Sequence, residues 1–345
     1  MDTYINSYDD VYDIRLATKE DIFDIMKFID EHWRKGHIMA TNRKFFEYEY
    51  VHNDQVDFII AVKKETNTIE AIFGFLRCTK DRTGDIWGSM WMVNEDSPNM
   101  KLLGVEVAKR VYSLTGCRSH IGNGANPKTT IPLRKIFFRE KTGKMKQFYW
   151  LNYNRDTYNI AKINTKWMPE KKVKIPCYKL KIFRTYLDLK KEFDIEKING
   201  IPQKDDWYIK HRFFEHPKYH YDVYGICDDN QVFALLVTRE IDILDSTILR
   251  IVDYIGEHKA IEGLYDEFYR LVSLYNYEYI DFFEYGIDDV ILLNAGFRDR
   301  EDFDNIIPNY FEPFLQENID IWVHYRDDNT TFFKADGDQD RPNLA

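Results

Sequence analysis

Between residues 56 and 93 three strand-like runs follow one another with no helix between them, and a helical stretch then separates the third run from a fourth. That order leaves few folds. Strands joined by short connections form an antiparallel meander, whereas a strand, helix, strand sequence returns the second strand parallel to the first. The runs at 56–62, 69–78 and 86–93 are rich in apolar, aromatic and β-branched residues, and Gly84-Asp85 marks a turn before the third. Residues 100–112 then place Leu103, Val107, Ala108 and Val111 on one helical face, and 117–124 reads as the next strand. The expected unit is α/β with a mixed central sheet flanked by helices.

The remainder of the first half fits around it. Residues 13–17 read as an opening strand. Thr18 is placed as an N-cap ahead of Glu20 and Asp21, whose charges suit a first helical turn. Ile22, Ile25, Met26 and Ile29 give the helix an apolar face, Gly36 ends it, and a second helix spans about 43–51. After the Asn126-Pro127 break come a short helix to 137, a turn at Gly143 and a last strand at 147–151. The second half repeats the pattern more loosely. It has strands at 232–238, 249–255 and 279–285, helices at 263–274 and 288–294, and a closing strand pair at 319–324 and 331–334. Residues 211–225 read as a shaped loop, since Pro217 holds His216 extended. Between the halves, a Lys-, Asn- and Asp-rich stretch carries a strand at 178–183 and a helix at 186–193. The reading is an N-terminal module at 1–152, a connecting segment at 153–205 and a C-terminal module at 206–345.

Composition narrows the function classes. With 345 residues, 44% hydrophobic and 24 each of Tyr and Phe, the chain has apolar area for sizeable cores. A formal charge of -10 argues against general nucleic-acid binding, which needs clustered Lys and Arg. The basic stretch 166–181 reads as a solvated linker. Cys78, Cys117, Cys177 and Cys227 lie far apart without CxxC spacing, so neither a disulfide framework nor a zinc site is expected. The acidic opening MDTYINSYDD lacks the apolar core of a signal peptide, and no run of about eighteen apolar residues offers a membrane span. The expected setting is the cytoplasm. The tail Asp336, Asp338, Asp340 has the spacing of the first ligands of a calcium loop but no helix before it, so no metal is expected.

The element order and several strings resemble the GCN5-related N-acetyltransferase (GNAT) superfamily. More narrowly, they resemble tandem GNAT-like proteins of bacterial surface polysaccharide and flagellin glycan assembly. In the first half these strings are EHWRKGHIMA (31–40), IFGF (72–75), IWGSMWMV (86–93), KLLGVEVAKRV (101–111), IGNGANPKTTIPLRKIFF (121–138) and FYWLN (148–152). In the second they are HRFFEHPKYHYDVYG (211–225), LLNAGF (292–297) and FFKADGDQDRPN (332–343). The resemblance implies two tandem GNAT-like modules and an acyl-CoA-dependent N-acyltransferase. Its acceptor would be an amino sugar, itself nucleotide-linked, and its donor acetyl-CoA or another acyl-CoA.

In that fold the donor's pyrophosphate sits at the N-terminus of the helix after the fourth strand, where free N–H groups and the helix dipole attract it. The corresponding stretch is 97–104, so Asn99, Met100, Lys101 and Gly104 are the cofactor-binding candidates, although the usual double glycine is missing. In the second half the equivalent 256–263 has two glycines, but Glu257 and Glu262 would repel a phosphate. For catalysis the candidates are His37, a proton acceptor after Gly36, and Tyr149, a thiolate acid near the last strand. Substrate-binding candidates are Arg34, Trp91, His120 and Asn126 in the first half, and Arg212, His216, Tyr219, Tyr221 and Arg341 in the second. Two other readings stay open: a non-catalytic sugar-nucleotide-binding or scaffold protein with degenerate modules, and an aminoacyl-tRNA-dependent transferase on the same fold. The sequence does not indicate an oligomeric state.

Overall fold

The computed structural model describes residues 7–172 and 175–344. Most of the opening segment and two residues of the 166–181 stretch lie outside that range. The chain forms two compact units, one of residues 1–142, 324–326 and 341–345, the other of 143–323 and 327–340. Among the described residues no helix is long and apolar enough to cross a membrane.

In the first unit, β1 (Tyr12–Leu16) leads into α1 (Ile22–His32) and α2 (Arg43–Tyr50), then β2 (Phe58–Lys63), β3 (Thr68–Arg77), β4 (Asp85–Val93), α3 (Leu103–Lys109) and β5 (Ser119–Asn123). β1 to β4 pair antiparallel in sequence order of the sheet β1-β2-β3-β4-β5, and β4 and β5 are parallel, as the helix between them requires. Helices cover both faces. Leu103 and Val107 of α3 pack with Phe73 and Phe75, while Phe46 and Tyr50 of α2 meet Phe58 on the other side. α1 buries Ile22, Ile25, Met26, Phe28 and Ile29, each contributing about 1.5–3 kcal/mol as an upper bound. Beyond β5 the sheet continues through Trp322–Tyr325 and Lys141–Lys144.

The second unit repeats this order. β6 (Lys146–Leu151) comes first in the chain. β7 (Lys179–Phe183), α4 (Tyr186–Glu192), β8 (Asp222–Cys227), β9 (Val232–Ile243), β10 (Ser246–Gly256), α5 (Tyr265–Tyr275) and β11 (Tyr279–Tyr285) follow. The sheet order is β7-β8-β9-β10-β11-β6, with β10 and β11 parallel. Phe268, Leu271 and Val272 of α5 pack on Ile251, Ile280 and Phe282.

Four segment assignments change. The strand read as closing the first module, 147–151, pairs with β11 in the second sheet, Trp150 opposite Ile280. Its residues are buried on both faces, so no alternation says which sheet it joins. The strand expected at 319–324 is Trp322–Tyr325 in the first sheet, while Phe332–Phe333 (β12) lies in the second. The segment read as a connector supplies β7, the edge of the second sheet, antiparallel to β8. β8 itself occupies the end of the stretch read as a loop; Gly225 and the mixed burial of its residues hide the strand period.

Each parallel pair parts before its strands end. β4 and β5 pair from Asp85–Ser119 to Gly88–Gly122, and β10 and β11 from Leu249–Ile280 to Ile251–Phe282. In the second unit the chain fills the resulting wedge. β12 pairs antiparallel with Glu284 and Tyr285, and the Ala335 N–H donates to the Val252 carbonyl at 2.7 Å. This insertion buries Lys334, whose Nζ has no hydrogen-bond partner among the described residues and lies 5.5 Å from the Phe283 ring centre. Burial pushes its amine down to about 7. Between about pH 7 and the usual lysine value the unfolded chain therefore holds a proton that the folded one lacks, and stability rises with pH across that window. Lys334→Met is expected to raise stability near pH 7 by about 1–4 kcal/mol and to flatten this alkaline rise. Urea melts of both proteins from pH 7 to 10 check it, and parallel pH profiles would contradict it.

Candidate functional site

In the first unit the wedge between β4 and β5 holds ionisable side chains. Gly88 and Gly122 face each other at the last paired position, and each leaves room for an imidazole. A Cβ on Gly88 would lie 2.7 Å from His120 Nε2, and one on Gly122 only 1.9 Å from His324 Nε2. The rings stand edge to face with centres 5.8 Å apart.

Arg134 and Glu140 complete the centre. The helical turn Thr130–Leu133 widens into a π-turn over Arg134–Phe138, and Arg139 adopts left-handed backbone with φ 53°. That widening brings the Arg134 guanidinium over the rings of Phe138, Trp91 and Phe73, at 4.7, 4.8 and 5.7 Å. Arg134 Nη1 lies 3.8 Å from Glu140 Oε1 and 3.5 Å from His120 Nδ1. His324 Nδ1 lies 2.8 Å from Glu140 Oε2, an ion-pair distance whose angle falls short of a hydrogen bond. Arg326, half exposed, stands 3.9 Å from the same carboxylate and stacks over Tyr112.

Among the described residues, five atoms of this centre are buried without a hydrogen-bond partner: His120 Nε2, Arg134 Nε, both Glu140 oxygens and His324 Nδ1. Each such orphan costs about 1–3 kcal/mol, so a cluster of them is not a stability device. Burial holds both imidazoles neutral, well below the usual histidine range, with Arg134 adding to the effect. Burial also lowers Arg134 to about 10, against the opposing pull of Glu140. The result is a neutral pair of proton acceptors, a carboxylate and a desolvated cation in one enclosed place. Among the described residues no three His, Cys, Asp or Glu side chains converge as metal ligands.

Of the residues singled out in the sequence, His120 and Trp91 reach this centre. Trp91 presents its ring to Arg134, while its Nε1 ties β4 to α3 by donating to the Gly104 carbonyl at 2.8 Å. The others are placed differently. His37 is buried as the N-cap of the turn Ile38–Thr41, its Nδ1 accepting from the Met39 N–H. Tyr149 lies in the core of the second unit, where its hydroxyl accepts from Trp167 Nε1 and Asn305 Nδ2. Asn126 caps the amides of Lys128 and Thr129, and Arg34 is exposed between helices. Arg341 folds back, but onto the Tyr50 hydroxyl at 3.0 Å.

The 97–104 stretch does not form a phosphate cradle. The Asn99 N–H donates to the Ser97 carbonyl and the Met100 N–H to the Tyr12 hydroxyl. Lys101 is exposed, and Gly104 is a packing glycine, since a Cβ there would meet Val93 and Trp91. The adjoining cleft, about 380 Å³, sets Asp24, Glu31, Glu70 and Asp96 against Lys27 and His32, a balance that repels pyrophosphate.

The second-half candidates do assemble, around Asp340. Arg239 grips its carboxylate at 2.6 and 3.2 Å, Tyr221 donates to it at 2.9 Å, and Arg212 donates to its backbone carbonyl at 2.6 Å. Tyr219 lies under the Arg239 guanidinium, and His216 stacks on Tyr219. Arg239 holds Asp340 below the usual carboxylate range even against burial. The Asp340 carboxylate and carbonyl are both paired within this hub, which suits bracing the 332–340 insertion.

Arg134, Glu140 and His324 were not picked out from the sequence. The first two lie in or beside the quoted 121–138 string. His324 could be found only by knowing that Trp322–Tyr325 enters the first sheet. Gly122→Ala is expected to push His324 out of place and lower stability by about 1–3 kcal/mol in urea unfolding. Adding His324→Ala should recover most of the loss; a Gly122→Ala protein as stable as the parent would contradict this packing.

No family model matches the chain, and no curated protein does. Solved structures do. A GCN5-related N-acetyltransferase from Anabaena variabilis superposes with a TM-score of 0.53 at 10% identity, covering 91% of this chain and 72% of its own. A conserved Enterococcus faecalis protein, named as a probable N-acyltransferase, gives 0.54 at 8% identity over 90% and 71%. At such identities the likeness bears on fold. The chain is built as two GNAT-like α/β modules in tandem.

Proposed function

We propose that the chain is an N-acyltransferase whose reaction centre is the His120, Arg134, Glu140 and His324 cluster of the first unit. One observation carries this reading: five buried polar atoms of that cluster lack partners where the parallel strands part. An incoming substrate would supply the partners, and hydrogen bonds that are loose without substrate tighten when it binds. The second unit's wedge is filled by residues 332–335, which supports assigning the chemistry to the first.

The chemistry needs little more. An acceptor amine attacks the carbonyl carbon of an activated acyl group; the N–C bond forms and the bond to the leaving sulfur or oxygen breaks. The amine's proton passes to Glu140 or to a neutral imidazole and from there to the leaving group. Arg134, desolvated between aromatic rings, offsets the charge on the carbonyl oxygen. Acyl-CoA is the donor that the resemblance implies, but the residues expected to hold its pyrophosphate do not fit it, in 97–104 or in the Glu257- and Glu262-bearing turn of the second unit. We therefore assign the donor only as an activated acyl ester or thioester. For the acceptor we keep the amine of an amino sugar, nucleotide-linked and used in surface glycan synthesis, on the sequence resemblance. The misfit to pyrophosphate favours one second reading, in which the donor is an aminoacyl ester.

Purified protein offered acyl-CoA thioesters or aminoacyl esters together with amino-sugar nucleotides should form amide product, followed by mass spectrometry. Glu140→Gln and His120→Gln should each lower kcat by about 10²–10⁴-fold, whereas Lys101→Ala should leave turnover unchanged. Full activity in the Glu140→Gln, His120→Gln double variant would sink the assignment of the centre.

A further inference from the structure

Glu140 is the one carboxylate of the reaction centre, and it stands between two guanidiniums. Arg134 Nη1 lies 3.8 Å and Arg326 Nε 3.9 Å from the same oxygen, Oε1, while His324 Nδ1 approaches Oε2. The two cations differ in exposure. The Arg134 side chain is 2% exposed and that of Arg326 45%, whereas Glu140 and His324 are buried. Of the three groups at this carboxylate, Arg326 therefore marks the solvent side, from which a substrate enters.

The Arg326 guanidinium is placed but not used. It stacks over the Tyr112 ring at 4.8 Å, and the Tyr112 hydroxyl in turn accepts from the His120 backbone N–H. Among the described residues Arg326 makes no hydrogen bond, and Glu140 is its one ion-pair partner. A guanidinium carries five donors in a planar fork that matches the edge of a carboxylate or phosphate. Stacking on Tyr112 sets the plane of that fork and leaves its donors for a ligand.

The charge of the centre has one sign in every protonation state. Two guanidiniums stand against one carboxylate, and burial lowers Arg134 only to about 10, so both are cations at neutral pH. A proton on either imidazole or on Glu140 adds to the excess. Asp85 on β4 does not offset it, because Arg118 already holds that carboxylate, its Nε at 2.8 Å. The centre thus favours a ligand with a negative group. Glu140 Oε1, which receives the acceptor amine, is 3.9 Å from the Arg326 fork, so amine and anion must lie close together on one small molecule.

We propose that Arg326 selects the acceptor by binding an anionic group next to the reacting amine: a carboxylate on the carbon that bears the amine, or a phosphate on the neighbouring carbon. An α-amino acid and a 2-amino sugar 1-phosphate share this arrangement. The assignment rests on Glu140 being the amine's partner, as proposed above for the reaction centre.

Titration calorimetry on the full chain with alanine, glucosamine 1-phosphate, glucosamine 6-phosphate and glucosamine tests this. Alanine or glucosamine 1-phosphate should bind saturably and about tenfold more tightly than the other two, and which of them binds tells a carboxylate from a phosphate. Arg326→Gln should weaken that ligand about tenfold and Arg326→Lys less, with the urea midpoint of both variants unchanged. Saturable binding of neither, glucosamine or its 6-phosphate binding as tightly as the preferred ligand, or full affinity in Arg326→Gln would overturn the inference. Selective binding without amide formation would keep it and sink acyl transfer, whereas amide formation indifferent to Arg326→Gln would do the reverse.

Discussion

Two parallel strands that stop pairing before they end leave a wedge of backbone groups and side chains that must find other partners. The rest of this structure follows from how each wedge is filled. In the second unit the chain answers with its own backbone: Phe332–Phe333 adds to β11, and Ala335 reaches across to Val252. In the first unit the paired glycines Gly88 and Gly122 admit two imidazoles, the π-turn at 134–138 adds a guanidinium, and Glu140 beyond it adds a carboxylate. The second unit closes its wedge with backbone hydrogen bonds, whereas the first fills it with ionisable side chains.

That difference divides the labour. The backbone insertion is held by ladder hydrogen bonds. It needs the Asp340 hub to hold it, with Arg239, Tyr221 and Arg212 converging on one residue. It also forces Lys334 into an apolar place without a partner. A cluster of orphaned ionisable atoms has the opposite character: it is costly alone and gains most from a ligand that supplies what is missing.

Much of the fold was legible in the sequence because local signals agreed. The three runs between 56 and 93, the helix carrying Leu103 and Val107, and the strand after it are periodic enough to set the meander and the parallel pair. The sequence could not say which sheet takes residues 146–151 or 322–325, since both are buried strands whose partners are long-range. The site suffered from the same gap. His120 and Trp91 sit on strands whose order is predictable, but His324 arrives from the far end of the chain. His37 read as a proton acceptor and Asn126 as a substrate contact because both sit at helix ends; in the structure those same positions are caps. Tyr149 was misplaced with its strand.

The account rests on His120 and His324 being enclosed and neutral beside Arg134 and Glu140. An NMR titration of the histidine ring signals, with His120→Gln and His324→Gln variants giving the assignments, measures this directly. Both rings are predicted to keep the shifts of neutral imidazole from pH 8 down through the usual histidine range, with Glu140→Gln moving the His324 signals most. Two rings that titrate with ordinary midpoints near 6.5 would contradict the account, because the centre would then be open to solvent.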